Sequence, residues 1–277
     1  MFMVQHWRQR QWWGVWLSAL PIVLFMALYW PYLLPHRTAD TAADLRVLTY
    51  NVLFTNMDAT AVAQNIRHYH PDLVALQEVQ PEMMAALEAL LGDEFPFAVM
   101  GSENAYGTTA VFSRHLFTEA TILDLGVDRP AVVVTIMLDE QPVTFISAHL
   151  LAYGLVWVPI PDIPAEVNQR THDQNRQAQI ILDEAERRGG VVILACDCNT
   201  KETSSTYNLL RRAMVNAARE AGWQVGDRWH GAKSEQNLQH IDYVFYAGAV
   251  RGTAVYRLNN EGGSDHQPIL ALFDLAD

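Results

Sequence analysis

The sequence predicts an α/β fold in which two β-sheets pack together under covering helices, preceded by one transmembrane helix. Three observations carry that reading. Short apolar runs alternate with amphipathic stretches of helical length around residues 45–91 and 167–221, and elsewhere they follow one another closely, as antiparallel strands do. Of the 277 residues, 50% are hydrophobic and 18% charged, ample material for the core of one large domain. Residues 11–35 contain no charged side chain.

The centre of the uncharged stretch, 15–34, is almost wholly apolar. Twenty helical residues rise about 30 Å, the thickness of a bilayer core. Trp12, Trp13 and Trp16 stand at one end and Tyr29, Trp30 and Tyr32 at the other, where amphipathic rings settle at the two membrane interfaces. Arg8 and Arg10 precede the stretch, and Asp40 and Asp44 follow it. By the positive-inside rule the N-terminus is cytoplasmic and the rest, a single-pass arrangement, lies outside. The expected division is 1–37 as cytoplasmic N-terminus and anchor, 38–44 as linker and 45–277 as the folded domain. A cleavable signal peptide, with Thr41-Ala42-Ala43 offering small residues, competes with this reading, but the apolar stretch is longer than a usual signal core. A buried core helix fits less well, because the segment is apolar on every face and ends before the first strand.

Within the domain, 45–50 reads as a strand and 58–70 as a helix that Asp58 can cap. An apolar strand over 72–77 and a helix over 81–91 follow. Strands are expected over 95–100, 108–113, 121–125, 131–138 and 143–148. The second half repeats the theme with a long helix over 167–188, stopped by Gly189-Gly190, a strand over 191–196 and a helix over 203–221. Three strands close the chain, over 240–246, 249–258 and 268–273.

Charge narrows the function classes. Residues 1–37 hold Arg8, Arg10 and Arg37 and no acid, so they contribute +3 to a total of −12 and the remainder carries −15. Lys201 and Lys233 are the only lysines, and no basic run exceeds two residues. A domain this acidic repels polyanions, so long nucleic acid is disfavoured as a partner. Nothing in the sequence points to a protein partner. Cys196 and Cys198 stand two apart in a strand, near the upper separation for a bridge, and read as free buried thiols.

Polar residues recur where apolar strands end: Asn51, Glu78, His149, then Asp197 and Asn199. Asp242 sits among apolar neighbours, and Asp265 and His266 precede the last strand. Strand ends on one sheet edge are where α/β proteins assemble sites. Taken singly, Asn51 is equally a turn residue, Glu78 a helix-cap acid and His149 a satisfied core histidine. Asp242 is harder to set aside, because a carboxylate in an apolar strand needs a partner. Strand parity puts Asp197 and Asn199 on one face and both cysteines on the other.

Six segments sharpen the picture: Thr49-Tyr50-Asn51, Leu76-Gln77-Glu78, Ser147-Ala148-His149, Asp197-Cys198-Asn199, Ile241-Asp242-Tyr243 and Ser264-Asp265-His266. In order and spacing the chain resembles the endonuclease/exonuclease/phosphatase superfamily over about residues 45–275. That superfamily includes deoxyribonuclease I, neutral sphingomyelinases and inositol-polyphosphate phosphatases. The resemblance implies a four-layer α/β/β/α sandwich, deoxyribonuclease I-like, and a metal-dependent phosphoesterase. One departure stands out: the family usually has glycine before the aspartate and phenylalanine after it, and both are cysteine here. Glu78 is the implied principal metal ligand, supported by Asn51 and Asp265. Oxygen ligands suit Mg²⁺, with Mn²⁺ able to substitute. Asp197 would orient or deprotonate water, and Asn199 would fix the phosphate or that water. Asp242 would hold His266, whose imidazole donates to a phosphate oxygen, and His149 would add another donor.

The fold does not choose the substrate. After His149 comes an unusually apolar stretch with Tyr153 and Trp157, which reads either as a covered loop or as a stiff loop near the substrate that meets lipid. The leading expectation is a phosphate ester or diester presented at the membrane bilayer, such as a lipid-linked one. The alternatives are an extracytoplasmic nuclease and a catalytically silent binding module.

Overall fold

The computed structural model describes residues 12–33, 43–102, 108–221, 240–258 and 262–276. Arg8, Arg10 and most of the expected linker lie outside the described residues. Helix α1 (Trp12–Leu33) occupies the uncharged stretch. Trp13, Trp16, Leu20, Val23 and Phe25 are all exposed along it. Among the described residues no helix is long and apolar enough to cross a membrane. The anchor therefore rests on the sequence, to which the structure adds the helix alone.

The domain begins with β1 (Leu45–Asn51), α2 (Ala59–Tyr69), β2 (Leu73–Gln77), α3 (Pro81–Leu91), β3 (Phe97–Met100) and β4 (Thr109–Ser113). Next come β5 (Phe117–Leu123), β6 (Ala131–Leu138), β7 (Gln141–His149), α4 (Ile163–Arg188) and β8 (Val191–Asp197). It closes with α5 (Ser205–Ala213), β9 (Val215–Asn216), α6 (Ala217–Ala221), β10 (Asp242–Ala247), β11 (Val250–Arg257) and β12 (Ile269–Leu275). One six-stranded sheet runs β11-β12-β1-β2-β4-β3 and the other β5-β6-β7-β8-β10-β9. Both are mixed. β1 and β2 pair in parallel in one sheet, β7 and β8 in the other, and the remaining pairs are antiparallel.

Period-2 alternation builds the layers. In β1, Leu45 and Val47 point between the sheets and meet Phe145, Ile193 and Val244 of the other sheet, all buried. Leu48 and Tyr50 point the other way, onto Val62 and Ile66 of α2 and Met83 and Leu87 of α3. In β8, Ile193 and Ala195 face the inter-sheet core, while Leu194 and Cys196 face Ile181 of α4 and Leu210 of α5. Four layers result: helices, sheet, sheet, helices.

The structure corrects several sequence expectations. The helix expected over 203–221 is broken. Ser204 caps α5 by accepting from the Tyr207 N–H, and Val215 and Asn216 then pair with the free edge of β10. The Asn216 side chain accepts from the N–H of Ala218, restarting a helix. The long helix starts at Ile163, with Pro164 in its first turn, where a missing N–H costs nothing. Two short 3₁₀ turns, Leu155–Trp157 and Ile160–Asp162, replace the loop expected there. The fifth strand begins at Phe117, four residues early. Cys196 and Cys198 are joined in a disulfide across one residue, with Cα atoms 5.2 Å apart, and are not free thiols. Their side chains face the helices, as parity requires.

Candidate active site

The inter-sheet core turns polar at one end. In β1, β7, β8 and β10 the residues with inter-sheet parity are apolar through the middle of the core, pass through Thr49 in β1 and Ser147 in β7, and end at Asn51, His149, Asp197 or Asp242. Register aligns them: His149 pairs with Asp197, and Asp197 with Asp242, across three adjacent strands. All four are buried. Glu78 follows β2 with φ 59°, and Asn199 follows β8 with φ 47°. Left-handed backbone at residues other than glycine is uncommon and clusters at functional sites.

Hydrogen bonds tie the cluster together. Asn51 Nδ2 donates to Glu78 Oε1 at 3.1 Å and to Asp197 Oδ2 at 2.9 Å, bridging the two sheets. Asn51 Oδ1 accepts from the Leu53 N–H at 2.9 Å, and Glu78 Oε2 from the Phe54 N–H at 3.0 Å. Asp197 Oδ1 accepts from the Asn199 N–H at 3.1 Å. Asn199 Nδ2 donates to the Leu150 carbonyl at 3.0 Å. His266 Nδ1 is 2.9 Å from Asp242 Oδ2, and its Nε2 lies 3.9 Å from Asp197 Oδ2.

The electrostatics separate the two buried aspartates. Burial raises the Asp197 carboxyl above the usual carboxylate range, the Asp242 charge raises it further, and His149, His266 and Asn51 only partly oppose this. Burial would raise Asp242 as well, but the charge and hydrogen bond of His266 outweigh it and hold the group low. Burial alone would lower His266. The charge and hydrogen bond of Asp242, with the charges of Asp197 and Asp265, push it up to about 10.

Two groups of side chains offer metal-ligand atoms within 4.8 Å of one another: Glu78, His149 and Asp197, and then Asp197, Asp242 and His266. Carboxylate oxygens from Glu78 and Asp197 suit a hard divalent cation. Asn51 serves the same place by orienting both carboxylates. Asp265, expected as a ligand, is in neither group. It is exposed and lines the same cleft as Asn199, Asp242 and His266. Tyr153, in the loop expected near the substrate, lines the cleft, is half-buried and has its hydroxyl 3.0 Å from Thr171 Oγ1. Trp157 does point outward, 92% exposed.

Two residues escaped the sequence reading. Arg129 NH1 lies 3.0 Å from His149 Nε2 and donates to the Leu150 carbonyl at 3.1 Å. The same imidazole nitrogen lies 3.5 Å from Asp197 Oδ2 and 3.8 Å from Glu78 Oε1, so Arg129 brings a second cationic group to the donor expected at His149. Burial lowers the Arg129 pKa, and Glu78 and Asp197 oppose the shift. Gln174 of α4, fully buried, donates from Nε2 to the carbonyls of Leu151 at 2.6 Å and Asn199 at 3.1 Å. Arg129 sits in a loop with no strand-end signal. Gln174 and Gln177 stand three apart on a helix, where two polar residues on the buried stripe were the available sign.

A two-sheet α/β sandwich with carboxylates, histidines and amides gathered at its strand ends is the class of protein these features define. The chain belongs to the Endonuclease/Exonuclease/phosphatase family, whose sequence profile matches residues 48–266. Members of that family hydrolyse phosphoester bonds and generally use divalent metal ions. No curated protein matches the chain. Among solved structures, an endonuclease/exonuclease/phosphatase from Beutenbergia cavernae is 23% identical with a TM-score of 0.68, over 85% of this chain and 72% of that one. An endonuclease/exonuclease/phosphatase from Bacteroides vulgatus is 16% identical with a TM-score of 0.67, over 83% and 98%. TDP2 from D. rerio, in complex with a single-strand DNA product, is 18% identical with a TM-score of 0.65, over 83% and 98%. At these identities the likeness speaks for the fold.

Proposed function

We propose that this chain is a divalent-metal-dependent hydrolase of a phosphate ester or diester. The row His149, Asp197 and Asp242, with Glu78 and His266 closing on it, is the observation that carries the reading. Glu78 would be the principal ligand of the cation, Mg²⁺ or Mn²⁺, which leaves Asp197 for the water. When bound, the cation supplies electrophilic stabilisation of charge on the phosphoryl oxygens. Asp197, its affinity for protons raised by burial, takes the proton of an attacking water. His266, kept protonated by Asp242, donates from Nε2 to a phosphate oxygen. Asn199 lines the cleft beside His266 and fixes the phosphate, with Arg129 as a further cation. The new P–O bond forms as the bond to the ester oxygen breaks; that oxygen takes a proton from solvent, to which Asp197 returns the one it accepted.

We further propose that the substrate carries an apolar, lipid-like portion. Trp157 and Ile160 are 92% and 83% exposed just beyond Tyr153 and Gly154, which line the cleft. Large exposed apolar side chains beside a site mark interaction surfaces. From the uncharged stretch 11–35 and its Arg8 and Arg10 flank alone, we also propose that an N-terminal anchor holds the domain outside the cytoplasm. A reporter fused after Asp277 should then be active only outside, and activity confined to the cytoplasm would refute the placement. The activity is tested with a phospholipid, a short nucleotide diester and DNA, each with Mg²⁺ and with chelator. Hydrolysis should require metal, and Glu78→Ala should lose at least about a hundredfold. Full turnover in chelator would overturn the mechanism, and a preference for DNA would replace the lipid reading with a nuclease.

A further inference from the structure

β10 of one sheet passes through a tight turn into β11 of the other, and the two strands connect two poles of the molecule. Asp242 and Arg257, at the ends away from the turn, line the catalytic cleft. Ala247, Gly248, Val250 and Arg251, at the turn, line a separate pocket of about 460 Å³. Six residues of strand put the two about 17–20 Å apart. Three arginines converge on this second pocket: Arg211 from α5, Arg219 from α6 and Arg251 from β11. Glu220 lines it too, but its carboxylate accepts the Tyr246 hydroxyl. Asp274 is the register partner of Arg251 on β12, outside the lining. Neither Arg211 nor Arg251 makes an ion pair with a described residue. In a chain of net charge −12, three guanidiniums around one concavity leave it locally positive.

We propose that this pocket is a second, non-catalytic binding site for a phosphate-bearing anion. Guanidinium forks match phosphate oxygens two at a time, and the volume lies in the range of small-ligand sites. The same pole receives the chain from α1: Leu45 pairs with Phe273, the Leu275 N–H donates to Asp44, and the Ala276 N–H to the Ala249 carbonyl. A free phosphate and an anionic lipid headgroup are therefore both chemically apt, and the test separates them.

Inorganic phosphate is titrated by calorimetry, in chelator, into the full chain reconstituted in nanodiscs of zwitterionic lipid. The wild type and Asp197→Asn should both show a binding event that Arg211→Glu with Arg251→Glu weakens at least about tenfold. That double variant should still hydrolyse a short soluble phosphodiester at the wild-type rate. Glu220→Gln, which removes the one carboxylate in the lining, should tighten binding. Repeating the titration in discs containing phosphatidylglycerol identifies the source: loss of the event marks the headgroup as occupant, and an unchanged event marks free phosphate. Binding by the arginine variant equal to wild type, or no tightening by Glu220→Gln, would sink the proposal.

Discussion

At the scale of the residue, the site turns on two carboxylates that are register partners and yet are driven apart. Asp197 is pushed up by burial and by its neighbour's charge, whereas Asp242 is held down by His266 against its own burial. Such divergence assigns one as base and the other as an ionised partner. Turnover should therefore fall at the acid end as Asp197 takes a proton, above the ordinary aspartate range. It should fall again at the alkaline end as His266 loses its proton near pH 10. Asp242→Asn removes the main influence raising His266, so the alkaline limb of kcat/KM should move to lower pH. An unmoved limb would show that another group sets it. The stability sign follows from the same shift. His266 in the folded state titrates above its unfolded value of about 6.5, so the stabilisation by this pair is full below that value and lost as pH rises through about 10. These residues were legible because each ends an apolar run. Arg129 was not, since its contact with His149 joins a loop to a strand end twenty residues away and leaves no local pattern.

At the scale of the element, α4 shows how a covering helix reaches into the site. Gln174 gives its amide to Leu151 and Asn199, and its Oε1 accepts from Thr206 of α5. It thereby fixes the segments that follow β7 and β8, each carrying a side chain of the cleft at its start. Gln174→Ala should leave buried carbonyls without a donor, at about 1–3 kcal/mol of stability. Because Asn199 would then drift, kcat should fall by about tenfold while KM changes less. If kcat/KM tracked stability alone, with no separate drop in kcat, the helix would be mere cover. The element boundaries were legible where periodicity is long and uninterrupted, as at 131–138 and 81–91, which match β6 and α3. They failed where tertiary pairing overrides local propensity. Val215 and Asn216 continue a helical pattern in sequence and leave it for the edge of β10. The cysteines failed for a related reason. A separation of two in a strand sets the Cα atoms near the bridging limit, and only the fold brings them to 5.2 Å.

At the scale of the whole molecule, strand direction gives the domain two ends with different work. β1 enters at Leu45 and delivers Asn51 to the catalytic pole after seven residues, a rise of about 20 Å. If α1 lies in a bilayer, the entry pole is the one that the chain itself ties to that surface, and the catalytic pole can stand off from it. The exposed apolar side chains of Trp157 and Ile160 then matter most as a guide for the substrate, since they follow within six residues of Gly154 in the cleft lining and are 92% and 83% exposed among the described residues. An apolar substrate portion drawn out of water against two such side chains gains roughly 25 cal/mol per Å² buried. Replacing both with serine removes that gain without disturbing the core, because neither side chain is packed. Turnover of a long-chain phosphodiester in mixed micelles should therefore drop by about tenfold, mainly through KM. A short soluble phosphodiester should be cleaved as by the wild type, and the melting temperature should not change. Equal losses on both substrates would mean that the two side chains support the cleft itself, and the apolar portion of the substrate would lose its structural basis.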